Sequence, residues 1–466
     1  MPRSGGKLDF DNIRRILKDK SGALYFIGIG GVSMYTLARV AQNMGHRVFG
    51  SDRVIGFRTR DLVSRGITVY IGHDSSHIHG ASLVVYSHAI SEKNPEMLAA
   101  KNLGIPLVSR AELLGAMMLS YKNRIGVSGT HGKSTTVAML DSIFSSVLSE
   151  PTTLSGADLE IGEPLRIGGD NLLLYEACEY KDSFLHFSPT IAIGLNLELD
   201  HTDYFSDISA LSKSFKKALG RASECAVINL DDEHLSEIIP ELRCRVVTFG
   251  QGERAEYRYR ITSFLDNGYE VDLYHGAKKL VKIRLSVIGV HNVTNAVAAI
   301  VAAIEYGIDP IAAASALEYF GGISRRLELV GRRMGRPVYY DYAHHPTEIA
   351  AGINAIKMQT HDFVTVVFKP HTFSRTASLW SEFSAALSLA DHIILTDIYP
   401  AREEPIAGVN SRRLAADIGE RAIFSPDYEV LPVLDNHTHG AIIIMGAGEM
   451  EHIKNEIVEI EDSRRI

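Results

Sequence analysis

Gly126-Val127-Ser128-Gly129-Thr130-His131-Gly132-Lys133-Ser134-Thr135-Thr136 follows a short apolar run and precedes Val137-Ala138-Met139-Leu140. The run reads as a strand and the tetrad as the start of a helix. The glycines therefore fall at a strand-to-helix turn. They let the backbone fold tightly with its N–H groups pointing inward, and the helix N-terminus adds partial positive charge. Together these make a socket for phosphate. Lys133 is placed to neutralise the outer phosphates, and Ser134 to offer its hydroxyl to Mg²⁺. The usual G-x-x-x-x-G-K-[ST] pattern has Gly where this chain has Val127, with Gly126 beside it. The bland alternative, a Gly-rich turn that binds nothing, is disfavoured because Gly-Lys-Ser stands between strand and helix.

A chain of 466 residues is too long for one core, and its length predicts about three domains. Hydrophobic residues at 45% and charged residues at 22% are ordinary globular composition. A net charge of -8 argues against nucleic acid or an anionic membrane as the main partner. Cys178, Cys225 and Cys244 make no C-x-x-C pair and no disulfide framework, which points to a reducing cytosol. Met1 to Lys20 has no signal-peptide core, and no apolar run approaches the ~20 residues of a membrane span. A cytoplasmic protein is expected.

Upstream of the loop, Ala23 to Ile27 reads as a strand, Gly28-Ile29-Gly30-Gly31 as a turn, and the pattern through Leu37, Val40 and Ala41 as a helix. Val48 to Asp52 is a second strand ending in an acid. This is the layout of a nucleotide-binding βαβ unit. A dehydrogenase, with Asp52 on a ribose, is one natural reading, but Ser33 stands where the third Gly of that fingerprint belongs. Leu83 to Tyr86 then runs into Ser87-His88, at the kind of strand end where ligands sit.

Downstream, Asn171 to Tyr175 is a strand ending at Glu176, well placed to bind Mg²⁺ directly or through water. Ile191 to Asn196 is another, followed by Glu198, Asp200 and His201. Tyr257 to Val287 alternates polar and apolar residues with turn signals at Asp266-Asn267-Gly268 and His275-Gly276, which predicts antiparallel hairpins. Gly289 to Ala296 opens an alanine-rich helix, with Asn292 read as its N-cap. His291 and Asn295 bond either a base edge or the local backbone; the residues alone leave that open. Beyond Arg325-Arg326, strands at Val338–Asp341, Phe363–Phe368, His392–Leu395 and Ala441–Met445 each lead into a polar or Gly-rich loop. This reads as a further α/β domain with its own ligand edge.

Taken in order, Phe26-Ile27-Gly28-Ile29-Gly30-Gly31, Gly129-Thr130-His131-Gly132-Lys133-Ser134-Thr135, Gly289-Val290-His291-Asn292 with Asn295, Asp341-Tyr342-Ala343-His344-His345-Pro346-Thr347-Glu348, and Pro370-His371 with Ser374-Arg375-Thr376 resemble the Mur ligases. The resemblance spans about residues 20 to 450 and rests on five ordered motifs. It implies an α/β protein of three domains. These are an N-terminal Rossmann-like UDP-sugar domain (1–121), a central P-loop ATPase with a mixed sheet (122–325), and a C-terminal Rossmann-like amino-acid domain (326–466). It implies ATP and Mg²⁺ as cofactors, and UDP-N-acetylmuramate and L-alanine as substrates joined through an acyl phosphate in peptidoglycan synthesis. A monomer or weak homodimer is expected.

By that resemblance Gly129, Thr130, His131, Gly132, Lys133, Ser134, Thr135, His291, Asn295, Arg326 and Asp341 contact ATP. Ser134, Glu176 and His201 hold the metal, and Gly28, Gly30, Gly31, Asp52 and Ser87 take the UDP-sugar. Lys133, His201, His344 and Arg375 are the catalytic candidates, with His344 the candidate to deprotonate the amine. Two positions depart from the pattern: Cys178 stands where the family usually has Asp, and Thr372 where many members have Arg. Three rivals remain. A sibling ligase would attach a preformed peptide to the same nucleotide sugar. A nicotinamide-dependent dehydrogenase would leave the Gly-Lys-Ser loop unexplained. A non-catalytic UDP-sugar sensor would not need Lys133, Glu176 and His201 together.

Overall fold

A computed structural model describes residues 10–147, 150–202, 204–360, 363–401, 403–436 and 439–458. They form two compact units. The first comprises Met1–Arg258, Tyr274–Lys278 and Ala298–Ala316, and the second Tyr259–Leu273, Lys279–Val297 and Leu317–Ile466.

The first unit holds two sheets. Strands β1 (Ala23–Ile27), β2 (Arg47–Asp52), β3 (Thr68–Ile71), β4 (Ala81–Tyr86) and β5 (Leu107–Ser109) form one, in the order β3-β2-β1-β4-β5. Every pairing is parallel. β1 is buried along its whole length, as continuous apolar runs in covered parallel sheets are. Successive strands are added on one side of β1 (β2, β3) and then on the other (β4, β5), and this switch in strand order makes the C-terminal end of β1 a ligand edge. The second sheet contains β6 (Asn123–Ser128), β7 (Thr152–Leu154), β8 (Leu165–Arg166), β9 (Leu172–Glu176), β10 (Ile191–Gly194), β11 (Cys225–Asn229) and β12 (Val246–Gly250). Its order is β8-β7-β9-β6-β10-β11-β12, and β7–β8 is the antiparallel pair in an otherwise parallel array.

One apolar core joins the two sheets. It runs from Leu24, Phe26 and Leu37 through Leu114 and Met117 to Tyr175, Phe184 and Phe215. The helix Arg110–Met117 is the bridge, and Gly115 lets it approach: a Cβ there would lie 2.3 Å from the His186 carbonyl oxygen. The sequence reading places a domain boundary between these sheets at about residue 121; the linking helix packs into a core that both sheets share.

The second unit holds β13 (Tyr257–Leu265) from Tyr259 on, β14 (Gly268–His275) as far as Leu273 and β15 (Lys278–Leu285) from Lys279 on, with a two-residue turn between β13 and β14. Lys279 pairs with Asp272 and Lys282 with Glu270, so one index falls as the other rises, and β14 and β15 are antiparallel as expected. The following helix begins at Val290. Asn292 is therefore not its N-cap but a first-turn residue, whose side-chain amide donates to the Ile288 carbonyl at 2.7 Å. Strands β16 (Glu328–Arg333), β17 (Arg336–Asp341), β18 (Val364–Phe368), β19 (His392–Leu395), β20 (Ala422–Phe424) and β21 (Ala441–Met445) form a sheet of order β16-β17-β21-β18-β19-β20. Only β16 runs antiparallel among these pairings. No helix among the described residues is long and apolar enough to cross a membrane.

Candidate active site

In the first unit the phosphate loop leaves β6, which lies between β9 and β10, with Val127 level with Glu176 and Ser128 level with Gly194. The loop helix starts at Lys133, four residues earlier than the apolar tetrad alone suggests. Gly129 and Gly132 take φ values of +153° and +82°, which side-chain-bearing residues adopt at a cost. The glycine beside Val127 has a packing reason: a Cβ on Gly126 would lie 2.6 Å from the Tyr175 hydroxyl. Val127 itself is fully buried.

The loop is fastened to the segment after β10. Asn196 accepts from the His131 N–H at 2.8 Å and donates to the His131 carbonyl at 3.1 Å. Thr130 Oγ1 donates to the Glu198 carbonyl and accepts from the Glu198 N–H. These bonds fix the turn before any ligand arrives, a form of preorganisation.

Lys133 folds back over its own loop. Its ammonium donates to the carbonyls of Gly129 and Thr130 and lies 3.2 Å from Oε2 of Glu179. Glu179 is 2% exposed and also faces His201 Nε2, 3.6 Å from its Oε1. Burial alone would raise the Glu179 pKa, but Lys133 and His201 outweigh it and hold the carboxyl below its ordinary value. Burial would likewise lower Lys133, and Glu179 reverses that. Both groups stay charged at neutral pH. His201 is held at φ +55°, with its N–H on Asp200 and its ring against Tyr180 at 4.6 Å between centroids. Strain of this kind concentrates at functional sites. Glu176 ends β9 half-buried, accepting from the Gly156 N–H. Sequence reasoning named Lys133 and His201 separately and missed Glu179, the acid that joins them. Its only sequence signal is an acid three residues beyond a strand end.

At the N-terminal sheet, Gly28 and Ile29 donate to the Ser51 carbonyl, and Asp52 Oδ2 accepts from the Gly30 N–H at 2.8 Å. Asp52 thus braces the glycine turn, and Ser87 follows β4 on the same edge. Glu96, fully buried, gathers Tyr25, Ser51 and His73 at 2.6, 2.9 and 2.8 Å.

In the second unit Asp341 ends β17, 7% exposed. Burial pushes its carboxyl up to about 6, against the opposing pull of Arg326. Arg326 lies over the Tyr342 ring and 3.7 Å from Glu348. Glu348 accepts from the N–H groups of His344 and His345. His344 Nδ1 meets the Tyr342 carbonyl at 3.0 Å; since a carbonyl only accepts, Nδ1 carries the proton and Nε2 is the basic nitrogen. Arg375 donates to His371 Nδ1 at 3.1 Å, and the His344 and His371 rings lie 6.0 Å apart. His344 and Arg375 therefore share one cluster at the ends of β17 and β18. Asn295 donates to Asn292 Oδ1 within its own helix, and His291 packs beside Gly289.

Three family models tile the chain. The Mur ligase family catalytic domain matches residues 23–122, the Mur ligase middle domain 127–303, and the Mur ligase glutamate ligase domain 325–449. The chain belongs to the Mur ligase family. Among similar Mur ligases, the UDP-N-acetylmuramate–L-alanine ligase of Caldicellulosiruptor bescii is 43% identical over 86% of this chain and 89% of that one. The protein of the same name from Caldicellulosiruptor saccharolyticus is 41% identical over 94% and 97%. The crystal structure of the UDP-N-acetylmuramate-alanine ligase of Thermotoga maritima superposes with a TM-score of 0.79 at 25% identity, covering 93% of this chain and 98% of that one. The three-domain α/β Mur ligase fold expected from the motifs is thus the fold of this chain.

Proposed function

We propose that this Mur ligase joins L-alanine to the lactyl carboxylate of UDP-N-acetylmuramate at the expense of ATP, giving UDP-N-acetylmuramoyl-L-alanine, ADP and phosphate. The observation that carries the reading is the Lys133–Glu179–His201 cluster on a phosphate loop of a chain 43% identical to a ligase of that name. The lactyl carboxylate attacks the γ-phosphoryl group of ATP and becomes an acyl phosphate, with ADP leaving. The amine of L-alanine then attacks the activated carbonyl and phosphate departs. Lys133 serves the first step as a fixed positive charge against the phosphoryl oxygens. His344, through Nε2, takes the proton that the ammonium of alanine must lose, and Arg375 faces the amino-acid carboxylate.

Ser134, Glu176 and His201 would hold Mg²⁺. A hydroxyl and a carboxylate with one oxygen still unclaimed by the Gly156 N–H suit a hard cation that keeps several waters, and the His201 imidazole, a softer donor, is the poorer match of the three. When bound, the ion would neutralise phosphate charge. We assign Gly129 to Thr135, with His291, Asn295, Arg326 and Asp341, to the nucleotide, and Gly28, Gly30, Gly31, Asp52 and Ser87 to the UDP-sugar. The domains would run 1–121, 122–325 and 326–466, in a cytoplasmic monomer or weak homodimer. Three free cysteines fit a reducing compartment.

The test supplies ATP, Mg²⁺, UDP-N-acetylmuramate and one amine, and measures phosphate release. Release that requires both the nucleotide sugar and L-alanine is expected. Release with a preformed peptide but not with L-alanine would identify the sibling ligase instead.

A further inference from the structure

Within the first unit, a cavity of about 160 Å³ is enclosed by the first turns of the helix Val32–Asn43, the start of the helix Arg110–Met117, and the ends of β7 and β9. Its polar lining is Ser33, Thr36, Arg110, Ser155, Glu176 and Cys178. The Arg110 guanidinium has no hydrogen-bonded or ion-paired partner among the described residues, although it lies deep enough for burial to hold its pKa below the ordinary arginine value. Partial exposure of the residue reflects the cavity beside it.

A guanidinium removed from water without a fixed counter-ion is costly unless something supplies the charge. The neighbouring acids do so poorly. Cys178 brings a thiol and no carboxylate to the lining. Glu176 already accepts from the Gly156 N–H and is our candidate for the metal. The cavity therefore offers the Arg110 guanidinium, several hydroxyls, a thiol and the Glu176 carboxylate, which the Gly156 N–H already engages and a bound cation would occupy. An anion is the ligand that balances it. Size narrows the choice: 160 Å³ resembles engineered cavities of ~150 Å³ that take up benzene, and is far too small for a nucleotide sugar. It suits a three-carbon acid arm.

We infer that Arg110 binds the lactyl carboxylate of the nucleotide sugar and holds it beside Glu176 for phosphoryl transfer. This rests on the acid substrate proposed above. Arg110 takes no proton and breaks no bond. It pairs with the carboxylate through two N–H donors, and retains one oxygen after the other has been phosphorylated.

The test measures equilibrium binding of two ligands, UDP-N-acetylmuramate and the corresponding UDP-N-acetylhexosamine lacking the lactyl ether, to the full chain and to Arg110→Gln. Wild type should prefer the acid by ~10-fold or more, as a charge-assisted pair implies. Arg110→Gln should bring the preference close to one while leaving the KM for ATP unchanged. Arg110→Lys, which keeps charge but not the fork, should retain part of it, and covers the case that the Gln variant folds poorly. Unchanged preference in Arg110→Gln would overturn the inference. So would equal weakening of both ligands, which would place Arg110 on the pyrophosphate. Wild type that neither binds the acid nor releases phosphate with it would instead sink the proposed substrate itself.

Discussion

The ammonium of Lys133 and the carboxylate of Glu179 lie 3.2 Å apart, with the carboxylate almost wholly removed from solvent. Glu179 thereby occupies, toward Lys133, the role that a nucleotide phosphate would take. Incoming phosphate has to compete with an internal anion for the same cation.

Replacing Glu179 by Gln should expose that competition. Removing one member of a buried pair leaves the other charge uncompensated, at a cost of ~3–5 kcal/mol. Thermal unfolding without nucleotide should occur at clearly lower temperature than in wild type. Saturating ATP and Mg²⁺ should then raise the midpoint by more in Glu179→Gln than in wild type, since phosphate restores the missing charge. An equal rise in both proteins would refute the competition.

On the function proposed above, Lys133→Ala removes the charge that faces the transferring phosphoryl group. Turnover should fall by a factor of ~10³ or more, in the range of lost transition-state charge stabilisation. Calorimetric affinity for UDP-N-acetylmuramate should stay nearly unchanged. Equal loss of both would mean that the two substrates are wrongly divided between the sheets.

Asp341 makes stability depend on pH. Its folded pKa of about 6 is above the ordinary aspartate value of 3.8, so the folded protein binds the proton more tightly than the unfolded chain. Stability contributed by the protonated carboxyl is complete below about pH 4 and is lost as pH rises through about 6. Asp341→Asn should therefore gain up to about 3 kcal/mol relative to wild type at pH 8 and nothing at pH 3.5. Denaturant titrations at the two pH values check this, and a pH-independent difference would contradict it.

Glu96 is the hub of a network with Tyr25, Ser51 and His73 and has no exposed surface. Glu96→Ala should destabilise the protein by ~3 kcal/mol or more, because three polar partners lose their acceptor. Glu96→Gln, which keeps one acceptor oxygen, should cost less. Urea unfolding separates the two, and equal losses would show that shape, not bonding, matters there.

The elements that proved legible in the sequence are those whose signals are local. Strand, glycine turn and helix around Lys133 lie within a few residues of one another, as do the hairpin turns at Asp266-Asn267 and Gly276. What escaped depends on distance along the chain. Glu179 acquires its meaning from Lys133, 46 residues away. It is also followed by Lys181 and Asp182 at φ of +51° and +58°, a turn that no propensity announces. Asn292 misled because an Asn before a helix usually caps it; here the helix had already begun. The common core of the two N-terminal sheets was hidden because a bridging helix such as Arg110–Met117 and an ordinary linker share the same apolar composition.

That common core has a mechanical corollary. The glycine turn of β1, the cavity around Arg110 and the Lys133 loop are mounted on one chassis, clamped where Gly115 meets His186. With the substrates assigned as proposed, the span between the acid to be energised and the phosphate that energises it is set by folding, like the jaw spacing of a fixed wrench. A bulky residue at position 115 would retune that gauge from a distance, with every reacting group still in place.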